Sequence, residues 1–187
     1  MHNSCMMIIN KGELILMTTK PYNKDNLILI GMPGAGKSTI GIVLAKVIGY
    51  TFIDSDIIIQ NEKNMLLHEL IDKYGLDGFN SIENEINSKI NAHKSIIATG
   101  GSAVYGKDAM THLSSIGTVI YLKLPYEEIE ERLGDLTKRG VSIKKGQTLK
   151  SLYNERIVLY EKYADITIEC SNKKIGRIAE EIKTLLF

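Results

Sequence analysis

Residues 31–38 hold the side chains whose types and spacing can do chemistry. Gly31, Gly36, Lys37 and Ser38 satisfy G-x-x-x-x-G-K-[ST], the phosphate-binding loop pattern. Glycines let successive backbone N–H groups turn inward around phosphate oxygens, and Lys37 adds a positive charge over the β- and γ-phosphates. Ser38 offers a hydroxyl to Mg²⁺, and a helix starting near Gly36 points its positive end at the anion. Gly34, Ala35, Gly36, Lys37, Ser38 and Thr39 are therefore the candidate triphosphate site. By background residue frequencies the pattern arises by chance in about one such chain in a hundred. Its flanks make chance less tenable. Residues 27–30 form the apolar run of a buried strand, and Ile40, Val43, Leu44, Val47 and Ile48 recur at helical spacing. The chain binds a nucleoside triphosphate on this reading.

Further candidates follow two other strand patterns. The second strand, residues 50–53, ends in Asp54-Ser55-Asp56. Carboxylates at the carboxyl end of a strand in an open α/β sheet lie at the ligand crevice. The third, residues 95–99, runs into Gly100-Gly101-Ser102. Paired glycines there let the backbone approach a ligand, or simply make a turn. Residues 134–148 carry three glycines and four basic side chains with little periodicity. That composition suits a mobile lid over phosphates, or an ordinary solvated loop.

The remaining elements must position these groups. Helical patterns cover 57–61 and 66–74, then 78–91, where Phe79, Ile82, Ile86 and Ile90 make an apolar stripe. Residues 107–115 read as helix and 118–124 as a fourth strand. Pro125 opens a helix over 126–133. A helix over 149–163, a fifth strand over 165–169 and a closing helix over 175–186 complete the chain. Apolar strands alternating with helices predict a five-stranded parallel sheet with helices on both faces.

At 187 residues one domain is expected, over residues 26–187. Residues 1–25 stand apart as a peripheral extension: a small hairpin around Asn10-Lys11-Gly12-Glu13, then a linker over 21–26. Its methionines leave open a later translation start. A net charge of +1, with 44% hydrophobic and 24% charged residues, implies no general affinity for nucleic acid or anionic membrane. Cys5 and Cys170 are far apart and in no metal-ligand spacing, which fits a cytoplasmic home. No apolar run approaches the ~20 residues that span a bilayer. A cytoplasmic monomer acting on a small molecule is expected.

The class of phosphate-loop protein can be narrowed. A switch GTPase needs an Asn-Lys-x-Asp signature, but Asn172-Lys173-Lys174 is followed by Ile175. Asp72-Lys73-Tyr74-Gly75 follows a helical pattern rather than a strand. A nucleotide-monophosphate kinase clamps a second phosphorylated substrate, for which arginine's planar fork is suited. The four arginines are Arg132, Arg139, Arg156 and Arg177, none of them between Lys37 and position 132. The acceptor is therefore not expected to be a nucleotide.

Taken in order, these residues resemble the shikimate kinases over essentially all of 26–187. The resemblance rests on Gly31 through Gly41, Phe52-Ile53-Asp54-Ser55-Asp56, Gly78-Phe79 with Glu83, and Ala98-Thr99-Gly100-Gly101. Val119 through Leu122, Asn154-Glu155-Arg156 and Leu159-Tyr160-Glu161 extend it. It implies a single P-loop NTPase α/β domain with a lid, phosphorylating shikimate with ATP and Mg²⁺ in aromatic amino-acid biosynthesis. By the same resemblance, Ser38 ligates Mg²⁺ and Asp54 holds it through water. Asp56 binds and deprotonates the acceptor hydroxyl, Gly100 and Gly101 bring backbone N–H groups to the acceptor, Arg156 binds its carboxylate, and Arg139 reaches ATP from the lid.

Three positions depart from the family pattern. The arginine that follows the Phe is Asn80 here, the third glycine is Ser102, and the lid's Arg-Pro-Leu-Leu reads Arg139-Gly140-Val141-Ser142. Asn80 and Glu83, one helical turn apart, are thus candidate acceptor residues of altered character. The alternatives are a relative acting on another hydroxy acid or hydroxy amino acid, and a nucleotide-binding regulator without turnover.

Overall fold

Strands that are apolar on both faces can be stable only when helices cover both sides of their sheet. The computed structural model describes residues 25–133 and 146–187, with the two strands of the N-terminal hairpin. That hairpin pairs β1 (Cys5–Asn10) with β2 (Glu13–Thr18) in antiparallel register, Ile8 opposite Ile15. The main sheet consists of β3 (Asn26–Ile30), β4 (Thr51–Asp54), β5 (Ser95–Ala98), β6 (Gly117–Lys123) and β7 (Ile166–Glu169). Its spatial order is β4-β5-β3-β6-β7, with every neighbour parallel.

Among the described residues the helices are α1 (Lys37–Ile48), α2 (Ser55–Lys63), α3 (Leu67–Asn87), α4 (Lys107–Ile116), α5 (Tyr126–Leu133), α6 (Leu149–Tyr163) and, after the last strand, α7 (Ile175–Leu186). The chain leaves β3 for the sheet edge at β4, returns through β5, then passes β3 to reach β6. The order therefore reverses at the carboxyl end of β3, where open parallel sheets form their ligand crevice. α1 packs against β3, β4 and β5, and α3 packs against α2 and α4. α7 packs along α1, and α4 packs against β3 and β6.

Several expectations shift in detail. The two helical segments around Gly75 are one run, α3, broken where Gly75 takes φ 68° and ψ 177°. α2 begins two residues earlier than its apolar pattern, because the Asp54 side chain caps it by accepting from the Asp56 N–H at 3.0 Å. Val47, read as core, is exposed, while Ile40 and Leu44 fill the α1 interface. Of the expected lid, residues 134–145 lie outside the described residues.

Asn26 overturns its reading as linker. It begins β3 with its side chain buried. Nδ2 donates to the carbonyls of Ala92 and Ile116, both at 2.9 Å, and Oδ1 accepts from the Ser95 N–H at 3.0 Å. One amide thereby joins the starts of β3 and β5 to the end of α4. Asn26→Leu keeps the volume but leaves three backbone groups without a partner, at a cost of about 1–3 kcal/mol each. At the low end of that range, about 3 kcal/mol for the three groups, its thermal midpoint is expected about 6–12 °C below wild type, and a drop of less than about 2 °C would show the amide to be dispensable.

Candidate active site

The phosphate loop follows β3 directly. Gly36 sits at φ 90°, a left-handed conformation that turns the backbone into α1. A Cβ on Gly31 would lie 2.8 Å from the Leu122 carbonyl oxygen, so the loop passes too close to β6 for any side chain there. Lys37, the first residue of α1, folds back over the loop and donates to the carbonyls of Gly31 at 2.8 Å and Met32 at 3.0 Å. Burial pushes its ammonium down to about 8; Asp56, Asp54 and Glu83 oppose that shift, and Arg156 reinforces it.

Asp54 joins this loop to the other half of the site. Its Oδ2 accepts from the Ser38 hydroxyl at 2.7 Å while Oδ1 accepts from the Asp56 N–H. Asp56, at the start of α2, faces the cavity. Burial first, then the Asp54 charge, raise its carboxyl to about 6, against the pull of Lys37.

Gly100 and Gly101 follow β5 and need their missing side chains for packing rather than for φ. A Cβ on Gly100 would come within 2.7 Å of Asp56 Oδ1 and closer still to Glu83 Oε1. The Gly100 N–H points at the Ser55 hydroxyl, 3.3 Å away, so this glycine contributes close approach rather than the free donor the sequence suggested. Gly101 rests against Pro33, and its carbonyl accepts from the Tyr160 hydroxyl at 2.7 Å. Tyr160 in turn stacks on Tyr121 with centroids 5.1 Å apart, a pairing worth about 0.5–1.5 kcal/mol.

Arg156 projects from α6 into the cavity wall with 1% of its surface exposed. Glu83, equally buried, lies behind Gly100 on α3. Burial lifts its carboxyl to about 7; the Ser102 hydroxyl and the charges of Arg156 and Lys37 favour the ionised form, and the Asp56 charge disfavours it. Among the described residues no donor meets full hydrogen-bond geometry at either Glu83 oxygen, nor at Asn80 Oδ1 one turn away.

These elements enclose one cavity of about 380 Å³. Gly34, Gly36, Lys37, Ser38 and Thr39 line one end; Asp56, Gly100, Gly101, Ser102 and Arg156 line the other, with Pro33, Leu67 and Phe79 as apolar wall. The sequence-derived residues thus converge, Asp54 through its bond to Ser38 rather than in the lining, with four exceptions. Ala35 is buried in the core, Asn80 and Glu83 stand behind the wall, and Arg139 lies outside the described residues. Two participants escaped the sequence reading. Arg132, in the last turn of α5, pairs with Glu128 at 3.1 Å and donates to the Gly34 carbonyl at 3.4 Å. Tyr105 ends a short 3₁₀ turn (Ala103–Tyr105) and holds Arg156 Nε at 3.3 Å. The i, i+4 spacing of Glu128 and Arg132 was a visible signal of an ordered arginine; nothing local marked Tyr105.

Comparison with known proteins agrees with this geometry. The shikimate kinase family profile matches residues 33–186. A shikimate kinase of Francisella tularensis subsp. holarctica is 38% identical over 165 residues, covering 86% of this chain and 94% of that protein. The Francisella philomiragia shikimate kinase is 39% identical over 166 residues, with the same coverage of 86% and 94%. Among solved structures, the Acinetobacter baumannii shikimate kinase in complex with shikimate superposes with a TM-score of 0.80 at 29% identity, covering 88% of this chain and 94% of that one. Because the match runs from the phosphate loop to the last helix, through both glycines after β5 and the arginine of α6, this chain belongs to the shikimate kinase family of small-molecule kinases.

Proposed function

We propose that the chain transfers the γ-phosphoryl group of ATP to a hydroxyl of shikimate, giving shikimate 3-phosphate for aromatic amino-acid biosynthesis. One observation carries the reading: a single cavity has Lys37 and Ser38 at one end and Asp56 and Arg156 at the other. A donor phosphate and an acceptor hydroxyl can therefore meet in line without leaving it. The relatives' names and the shikimate bound to the Acinetobacter protein support this acceptor.

Each residue then has a physical task. Lys37 neutralises charge on the β- and γ-phosphates, and the N–H groups of the loop cradle them. The Ser38 hydroxyl and Asp54 carboxylate, hard oxygens 2.7 Å apart, would hold Mg²⁺, which when bound would supply charge neutralisation to the triphosphate. Asp56 takes the proton of the attacking hydroxyl. A carboxyl raised to about 6 is still ionised at neutral pH and is a stronger base than an ordinary one. Arg156 presents a planar fork to the acceptor's carboxylate. Arg139 is assigned to ATP by the family pattern alone. The enzyme is read as a cytoplasmic monomer; among the described residues no helix is long and apolar enough to cross a membrane.

The deciding experiment is coupled ADP release with Mg²⁺-ATP against shikimate, other hydroxy acids and hydroxy amino acids, with product mass recorded. Shikimate should release ADP and gain one phosphoryl group. Turnover of a hydroxy amino acid without turnover of shikimate would replace the acceptor, and no turnover with any would indicate a regulator. Lys37→Ala should abolish ADP release with every acceptor. Retention of more than about a tenth of the rate, a barrier change under about 1.4 kcal/mol, would remove Lys37 from the phosphate site.

A further inference from the structure

Arg156 is anchored from behind by residues that line no part of the cavity. The Tyr105 hydroxyl accepts from Arg156 Nε at 3.3 Å and donates to Glu155 Oε1 at 2.7 Å. Its ring lies under the guanidinium, with Cζ 5.3 Å from the ring centroid. The second Glu155 oxygen accepts from Gln147 Nε2 at 2.9 Å. Each link has consistent polarity: Gln147 and Tyr105 both donate to the carboxylate, and the tyrosine oxygen keeps a lone pair for arginine. Burial raises the Tyr105 hydroxyl above its ordinary range, which keeps it a donor.

Guanidinium is a rigid fork, so fixing Nε on one side fixes the direction of the two Nη groups on the other. Nη1 lies 3.1 Å from where a Cβ on Gly101 would stand, which places that end of the fork against the cavity's glycine wall. Gripping the ring face and Nε together restricts the arginine's rotamers before any ligand arrives, and a preorganised anchor binds more tightly than a loose one. Tyr105 belongs to the turn that directly continues the Gly100-Gly101 segment. One short stretch thus shapes the acceptor wall and orients the cation that projects through it.

We propose that Tyr105 is a positioning residue for acceptor binding, holding Arg156 in its ligand-facing orientation through ring and hydroxyl, with Glu155 and Gln147 as the outer links. The inference rests on the reading of Arg156 as the acceptor's anchor.

The test compares Tyr105→Phe, Tyr105→Leu and Arg156→Ala in the full chain. It reads shikimate KM, calorimetric shikimate Kd, ATP KM, kcat and thermal midpoint. Tyr105→Phe, which keeps the ring, should weaken shikimate KM and Kd about threefold, and Tyr105→Leu about tenfold. ATP KM should stay at the wild-type value in both. That split, with phenylalanine partly rescuing leucine, is not what general loosening of the fold would produce. If Tyr105→Leu fails to fold, Tyr105→Phe decides alone. Unchanged shikimate KM and Kd in the Tyr105 variants, or an equal rise in ATP KM, would overturn the proposal. Should Arg156→Ala weaken shikimate while the Tyr105 variants do not, only this inference falls. Should Arg156→Ala leave shikimate binding unchanged, the placement of the acceptor falls with it.

Discussion

Two cations and two carboxylates crowd one cavity and the wall behind it, and the fold around them exists to make that tolerable. Lys37, Arg156 and Glu83 are buried and Asp56 is largely so, at a desolvation cost of several kcal/mol per ion were each alone. Opposite signs within the pocket offset part of that cost. The remainder shows in the proton affinities: Lys37 is pushed down, Asp56 and Glu83 up, each toward its neutral form. A polyphosphate arriving beside Lys37 would reverse that shift, since an opposite charge favours the ionised ammonium. The pocket is balanced so that an anionic ligand improves it.

Sheet topology delivers these groups to one place. β3 hands the chain to the phosphate loop at the point where strand order reverses, and β4 and β5 end beside it with Asp54, Asp56 and the glycine pair. Asp54 is the hinge of the arrangement: one oxygen receives Ser38 from the nucleotide end, the other caps the helix that carries Asp56. The phosphate loop and the start of α2 are therefore registered through one carboxylate. On the far side, Tyr160 fixes Gly101 by its carbonyl, and Tyr105 fixes the arginine that passes next to it.

Short-range chemistry was legible in the sequence. The glycines of the phosphate loop declare themselves because backbone conformation and close approach admit no other residue. The strands declare themselves by continuous apolar runs, and α5, α6 and α7 span the residues that Pro125 and the helical spacing indicated, 126–133, 149–163 and 175–186. What stayed hidden depends on partners far along the chain. Asn26 looks like the end of a linker because its three bonds go to residues 66 or more positions away. Tyr105 meets Arg156 across 51 positions with no periodicity to signal it. Val47 fits the apolar stripe of α1 but lies at its margin, beyond what β-strands and α7 cover. Asn80 was visible as a departure from the family pattern, yet its place behind the cavity wall required the packing of α3.

The proposed chemistry turns on Asp56 accepting a proton from inside this pocket. The acidic limb of kcat/KM for the acceptor, measured in wild type and in Asp56→Asn, tests it most directly. Activity needs the ionised carboxylate, so it is present above the Asp56 pKa and lost as pH falls through it. The limb should centre near pH 6, where burial and Asp54 have moved this group. Asp56→Asn should lower kcat about 100-fold or more while leaving ATP affinity near wild type. A limb centred near pH 4, the ordinary carboxylate range, or losses in ATP binding equal to those in turnover, would contradict it.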